Sequence, residues 1–283
     1  MSRLESDYYA YMDFDPDDRH AREVQSFYVP MFADQAAPVV DLGCGHGAFL
    51  AMLQDAGIKA IGVDSDEGMV EQARDRGFDV VLDDAIEYLH ADPPPGPFGG
   101  VFCAHFVEHL TPEQVVRMLA GVRRCLLPGG RFVAATPNPA CYPVLTHDFW
   151  RDPTHVRFYD VPLLEFLCRQ AGLEVEDSGP NPQNHPGPPP GFLGPETVVH
   201  PGLDELLENA TSQVAMALQH HDGRGRWRES HDPSWAYQLA HVTKVLCDRL
   251  RETQEALRAL RTAHDNLVWG LYQPNEIYVR ARA

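Results

Sequence analysis

The sequence predicts an α/β fold: a doubly wound, seven-stranded, mostly parallel sheet whose last strand runs antiparallel, with a helical hairpin inserted before that strand. Three observations predict it. Short apolar runs alternate with helical stretches from about residue 37 to residue 178, as a parallel sheet wrapped by helices requires. A glycine-rich turn joins the first apolar run to the first helix within residues 39–50. A lone run of strand composition, 276–282, closes the chain after two long helical patterns.

Each element has its own reason. Strands are expected at 38–41, 60–64, 80–83, 100–104 and 131–136, each short and ended by polar or glycine residues, as buried parallel strands are, with 173–177 as a sixth. Helices fit between them at 47–56, 68–76, 112–125 and 161–171. Residues 126–130, LLPGG, read as a turn, because proline and paired glycines stop a helix. The stretch 179–196 is crowded with proline and glycine and reads as an irregular loop. In the first long helical pattern Leu203, Leu207, Ala210, Val214 and Ala217 recur at alternating spacings of four and three. Leu246, Leu250, Thr253, Leu257, Leu260, His264 and Leu267 do the same in the second. That is the seam of a coiled coil or packed helix pair, with 223–234 reversing the chain. The run at 276–282 cannot satisfy its backbone alone, so it is expected to return to the sheet beside strand six, antiparallel. The segments are then 1–36, an N-terminal helical lid; 37–178, the core; 179–200, the Pro-rich loop; 201–270, the hairpin insertion; and 271–283, the final strand.

Composition narrows the partners. A formal net charge of −18 over 283 residues disfavours nucleic acid, whose phosphates need a concentrated basic surface. Six cysteines without CxxC pairs or regular spacing read as buried small hydrophobes in a reducing compartment. No apolar run approaches a membrane span, and residues 1–9 lack the basic flank and apolar stretch of a secretory leader. The expected location is cytoplasmic.

Residues 39–50, VVDLGCGHGAFL, carry the most information. An apolar strand runs into Asp41, then Gly43, Cys44, Gly45 and Gly47 lead into a helix. The glycines let the backbone turn sharply and a ligand approach, while the helix start offers free N–H groups and a positive dipole end. The Gly-x-Gly-x-Gly spacing after an acid differs from the Gly-x-Gly-x-x-Gly dinucleotide fingerprint. Asp64, with Ser65 after it, ends the second strand, where a carboxylate can accept both hydroxyls of a ribose. Asp84 and Ala85 follow the third strand, where an acid can accept the adenine amino group.

Glycine turn, ribose acid and adenine acid, in order on three strands, resemble class I S-adenosylmethionine-dependent methyltransferases. The stretches 101–110, VFCAHFVEHL, 127–133 and 136–139 extend the likeness to that superfamily's small-molecule branch. Residues 13–24 with 28–32, and 149–159, FWRDPTHVRFY, resemble bacterial methyltransferases of the O-antigen chain-terminating type, which often carry coiled coils. The resemblance implies S-adenosyl-L-methionine as cofactor, and Arg22 as the holder of its methionyl carboxylate. It also implies methyl transfer to a sugar, glycan or sugar-phosphate acceptor. Two alternatives stay open: a secondary-metabolite O-, N- or C-methyltransferase, and an inactive cofactor-binding scaffold.

On the acceptor side, His155 leads the candidates, in the loop after strand five where substrate-facing elements of this fold gather; His147 and Asp148 flank the same loop as base or orienting group. Arg157, Tyr142 and Tyr159 are the substrate-binding candidates. His105, ending strand four, is expected to line the cofactor pocket, whereas Glu108 and His109 read as packing and capping residues. His147, Asp148 and His155 lack tight ligand spacing, so no metal is expected. Tyr8, Tyr9 and Tyr11 read as a lid or as anchors of the N-terminal helix. The hairpin heptads predict homo-oligomerisation or packing on the main domain.

Overall fold

In the computed structural model, which describes residues 18–185, 187–188, 203–219 and 234–283, the chain divides into two compact units. One is Met1–Gly187 with Leu271–Ala283, the other Pro188–Gly270. The three N-terminal tyrosines, all of the expected reversal at 223–234 but its last residue, and most of the Pro-rich loop lie outside the described residues.

The first unit is built on β1 (Val39–Leu42), β2 (Ala60–Asp64), β3 (Val80–Leu82), β4 (Phe98–Ala104), β5 (Leu126–Pro137), β6 (Glu174–Pro180) and β7 (Glu276–Arg282). They form one sheet in the order β3-β2-β1-β4-β5-β7-β6. All pairs among β1 to β5 are parallel, and β7 is antiparallel to both neighbours. The final strand therefore lies beside strand six as expected, and it also inserts against β5. Burial explains the place: Ile277, Tyr278 and Val279 are all buried, which needs a covered strand, whereas β6 (Glu-Val-Glu-Asp-Ser) carries the acids that protect an edge.

Helices cover both faces. They are α1 (Arg19–Gln25), α2 (Ala48–Asp55), α3 (Glu67–Asp75), α4 (Ala85–His90), α5 (Pro112–Cys125), α6 (Tyr142–Thr146) and α7 (Val161–Gln170). Side chains alternate across the sheet: Val40, Val101 and Cys103 join a core under α5 and α7, while Val39 and Phe102 join one with Phe49, Tyr28 and Phe32. The N-terminal segment is thus partly a wall of the core, with Tyr28 and Phe32 fully buried. α5 opens with a capping box between Thr111 and Gln114. The expected turn at 126–130 is instead the start of β5: Phe98 pairs with Leu126, then the register shifts so that Gly100 meets Arg131. The prolyl-glycyl stretch is accommodated as an irregularity in the ladder.

The second unit holds α8 (Leu203–Gln219) and most of α9 (Ser234–Leu271), the two helices of the expected hairpin. On α9 the expected seam is displaced. Leu246, Leu250, Leu257, Leu260 and Leu267 are exposed, while Cys247 and Gln254, one position along, are buried. The contact with α8 is polar as well as apolar: Arg251 donates to Thr211 Oγ1 at 2.8 Å and to the Leu207 carbonyl at 3.3 Å. Leu207, of the expected α8 seam, is buried.

Candidate active site

Between β1 and β4 the strand order reverses, the switch point at which open α/β sheets bind ligands beyond their strand ends. A cavity of about 740 Å³ lies there. Its cofactor-side wall contains Gly43 after β1, Asp64 and Ser65 at the end of β2, Asp84 and Ala85 after β3, and His105 after β4, six of the expected cofactor residues.

The turn after β1 is held from several sides. Gly43 has φ +71°, and a Cβ there would sit 2.8 Å from the Phe106 ring, so glycine is required twice over. Asp64 Oδ2 accepts the Gly45 N–H at 2.8 Å and Oδ1 the Asp66 N–H at 2.8 Å. Burial raises the Asp64 carboxyl above its usual range. Asp41 lies behind it, nearly fully buried, pushed well up by burial and then by the charge of Asp64. Asp84 caps α4, its Oδ1 accepting the Ile86 and Glu87 N–H groups at 2.8 and 3.0 Å. Asp41, Cys44, Gly45 and Gly47 are not among the lining residues. They shape the turn from beneath, Cys44 packing with Leu50 and Val70 and Gly47 capping α2.

Arg22 departs from expectation. Its guanidinium pairs with Asp55 at 3.0 Å and does not line the cavity, since α1 packs on α2. The N-terminal segment reaches the glycine turn through Asp18 instead, which contacts His46 Nε2 at 2.5 Å and Arg76 at 2.6 Å. Arg76 also donates to the His46 carbonyl at 2.9 Å. Burial pushes the Asp18 carboxyl up, but His46 and Arg76 outweigh it and hold it below the usual range.

The other wall contains His109, Asp148, Asp152, Thr154 and His155, and His105 is shared by both. His105 sits at φ +51°, a left-handed backbone uncommon outside glycine. Two fully buried carboxylates bracket its ring: Glu276 Oε2 lies 2.9 Å from Nε2, and Glu108 Oε1 3.3 Å from Nδ1. Burial opposes charge on this ring, yet the two carboxylates outweigh it and hold His105 well above the usual imidazole range. Glu276 also accepts the Tyr28 hydroxyl at 2.5 Å and the Asn181 amide at 2.9 Å, and Glu108 accepts the Thr136 hydroxyl at 2.9 Å.

His155 is almost buried, its ring tilted against those of Phe149 and His109 at centroid distances of 4.3 and 4.7 Å. Its Nδ1 lies 2.6 Å from the Phe149 carbonyl, and Nε2 3.5 Å from Asp152 Oδ2. His109 Nδ1 meets Thr154 Oγ1 at 2.8 Å, and that hydroxyl donates to Asp152 Oδ1 at 2.6 Å. Burial holds His109 below the usual imidazole range.

Four acceptor-side candidates fall elsewhere. His147 is mostly exposed and pairs with Asp148 at 2.9 Å, and only Asp148 lines the cavity. Tyr159 is fully buried, its hydroxyl donating to the Leu110 carbonyl at 2.9 Å. Its ring carries the Arg157 guanidinium 5.0 Å above it, so both serve packing. Tyr142 opens α6 half-exposed and does not line the cavity. Sequence reasoning missed Glu276, Asp152 and Thr154, and gave Glu108 and His109 too small a part. The one local signal for Glu276 is an acid heading the apolar run Ile277-Tyr278-Val279.

Strand order, switch point and acid-tipped strands define the α/β methyltransferase fold, whose members bind S-adenosylmethionine. A family model described as a methyltransferase domain matches residues 17–178, and the chain belongs to that family. The ubiquinone biosynthesis O-methyltransferase of Methylococcus capsulatus is 35% identical over 104 residues, 35% of this chain and 43% of that protein. The protein of the same name from Pseudomonas aeruginosa is 29% identical over 162 residues, 49% of this chain and 65% of its own length. The chain thus matches less than two thirds of either relative. A solved SAM-dependent methyltransferase from Archaeoglobus fulgidus shares the fold with a TM-score of 0.61 at 22% identity, over 98% of this chain and 99% of that one.

The cofactor is S-adenosylmethionine, and the residues present fit it. The cavity has the size of a nucleoside site, Gly43 leaves its floor bare, and Asp64 spends one lone pair per oxygen on backbone, keeping others for ribose hydroxyls. Among the described residues no helix is long and apolar enough to cross a membrane.

Proposed function

We propose that this methyltransferase acts on an oxygen of a small-molecule acceptor, with His155 and His109 as the groups that activate it. When bound, S-adenosylmethionine supplies an electrophilic methyl group on a sulfonium. A hydroxyl acceptor must lose its proton near the transition state, which calls for a placed base or its equivalent. The observation that carries this reading is the fixed histidine pair on the wall facing the strand tips. Since a carbonyl only accepts, His155 Nδ1 carries a proton, and Nε2, 3.5 Å from Asp152 Oδ2, is the nitrogen left to face an acceptor. His105 is no base, because both its nitrogens face carboxylates; its charge orients an electron-rich acceptor. Asp148 belongs to the mouth of the same wall.

The name carried by the two relatives supports an oxygen acceptor, and the resemblance of residues 149–159 supports a sugar among the acceptors to be tried. Tritium transfer from labelled cofactor to phenols, sugar hydroxyls, sugar phosphates and amines tests the proposal. The expected outcome is labelling of a hydroxyl, reduced by about 100-fold or more in His155→Ala. Labelling of amines alone, or full rate in His155→Ala, refutes it.

A further inference from the structure

Glu108, His109 and His155 each bring one ligand atom to within 4.8 Å of the other two, and among the described residues they are the one such group of three or more His, Cys, Asp or Glu. The histidines come from separate segments, His109 from the short turn after β4 and His155 from the loop after β5. Glu108 is fully buried, and while Oε2 accepts the Thr136 hydroxyl, Oε1 has only the His105 ring beside it, 3.3 Å from Nδ1 and outside hydrogen-bond geometry. A buried carboxylate oxygen with one long ion-pair contact keeps lone-pair capacity for a further partner.

The tautomers point the same way. The Phe149 carbonyl fixes the proton of His155 on Nδ1. The Thr154 hydroxyl spends its hydrogen on Asp152, so toward His109 it accepts, which fixes that proton on Nδ1 too. Both Nε2 atoms point away from these partners, that of His155 with Asp152 Oδ2 3.5 Å from it, and a partner on the other ring nitrogen is how metal-binding histidines are oriented.

We propose that Glu108, His109 and His155 hold a divalent first-row cation, zinc, cobalt or manganese, which takes the acceptor hydroxyl as a further ligand. This deepens the oxygen-acceptor reading above and rests on it. Two imidazoles and one carboxylate suit these ions, whereas magnesium prefers an oxygen shell. Tetrahedral ligands stand about 3.3 Å apart at metal–ligand bonds of about 2.1 Å, so binding draws the three side chains closer than their present spread. Ligation lowers the pKa of the hydroxyl, whose proton leaves to water. The acceptor oxygen then forms the new O–CH3 bond as the S–CH3 bond breaks, and sulfur keeps that electron pair as a neutral thioether.

The test uses the full chain, freed of metal by chelator dialysis. Cobalt is titrated by visible absorption, zinc and magnesium by calorimetry. The expected result is one equivalent of cobalt or zinc, undisturbed by millimolar magnesium, with affinity lowered about 100-fold in His109→Ala and His155→Ala. His264→Ala, on the exposed face of α9, serves as control and should bind as the parent does. Cofactor affinity and thermal unfolding of each variant separate loss of the site from loss of the fold. Absence of a stoichiometric site, or affinity equal to the parent's in the two site variants, overturns the proposal. So does full methyl transfer under chelator, which leaves the oxygen reading standing. Cobalt held at these histidines in a chain that methylates only amines upholds the site and refutes the oxygen reading.

Discussion

Asp64→Asn probes how the glycine turn is held in shape for the cofactor. The two carboxylate oxygens take different donors, Gly45 N–H on one and Asp66 N–H on the other, both at 2.8 Å. Asparagine keeps one acceptor oxygen and turns an NH2 toward the second amide. The Asp66 bond, only two residues away, is the easier to keep, so the Gly45 bond is the one lost. A hydrogen bond to a charged acceptor is worth about 1.5–3 kcal/mol. Part of that is returned to the fold, because burial and the neighbouring charge of Asp66 already oppose charge here. Global stability is therefore expected to fall by about 1 kcal/mol. Cofactor affinity loses the shaped turn and the charged ribose acceptor together, about 2 kcal/mol, or roughly 30-fold in Kd. Calorimetric titration with the cofactor, beside urea unfolding, reads both numbers. A Kd within threefold of the parent would refute the assignment of this strand tip to cofactor binding.

Three further predictions follow from the packing around the site. Gly62→Ala places a Cβ 2.5 Å from Cys44 Sγ and 2.9 Å from Leu50 Cδ1; overpacking of this kind costs about 1–3 kcal/mol, and an unchanged urea midpoint would contradict it. Tyr159→Phe removes the hydrogen bond to Leu110 and should cost about 1 kcal/mol of stability with KM for the acceptor unchanged; a tenfold rise in KM would return the residue to substrate binding. Asp18 has a lowered carboxyl pKa in the fold, so its contribution is present above the unfolded value of about 4 and lost as the pH falls through the folded value. Asp18→Asn should therefore be less stable than the parent at neutral pH and converge with it in acid unfolding near pH 3; a gap that persists there counts against the Asp18–His46–Arg76 cluster.

The cofactor side was legible because its parts are consecutive. Each acid or glycine ends a strand whose apolar run is visible, so position in the fold follows from position in the chain. Even there, the chemistry shifted under inspection. Asp41, Cys44, Gly45 and Gly47 act on the turn from beneath, and a sequence does not distinguish a residue that touches a ligand from one that holds the backbone touching it. Short helices such as α4 and α6, six and five residues long, have too few turns to show a period. The displaced seam on α9 has a similar origin. A stripe of leucines at spacings of three and four marks a helix face, but Cys247, Arg251 and Gln254 carry the same spacing one residue over, and the polar bonds of Arg251 to α8 use that face.

The acceptor side was hard to read for a topological reason. It gathers Tyr28, His105, Glu108, His155, Asn181 and Glu276 from five segments, and the sheet order decides that they meet. β7 pairs Glu276 with Pro137 at the end of β5, while the β6 end brings Pro180 to Ile277. The same junction closes the insertion. The Asn275 N–H donates to the Asn184 carbonyl at 2.8 Å, and the Asn138 N–H and side-chain amide bond the Asn275 and Pro274 carbonyls at 2.8 and 2.7 Å. The chain thus comes back from the second unit to within one hydrogen bond of where it departed, so the sheet is spared any strain from the added length. Glu276 is the next residue after that clamp. Because its carboxylate holds His105 from one side while Glu108 holds it from the other, the acceptor wall depends on a strand that begins where the inserted segment ends, and a reading confined to residues 37–178 necessarily misses it.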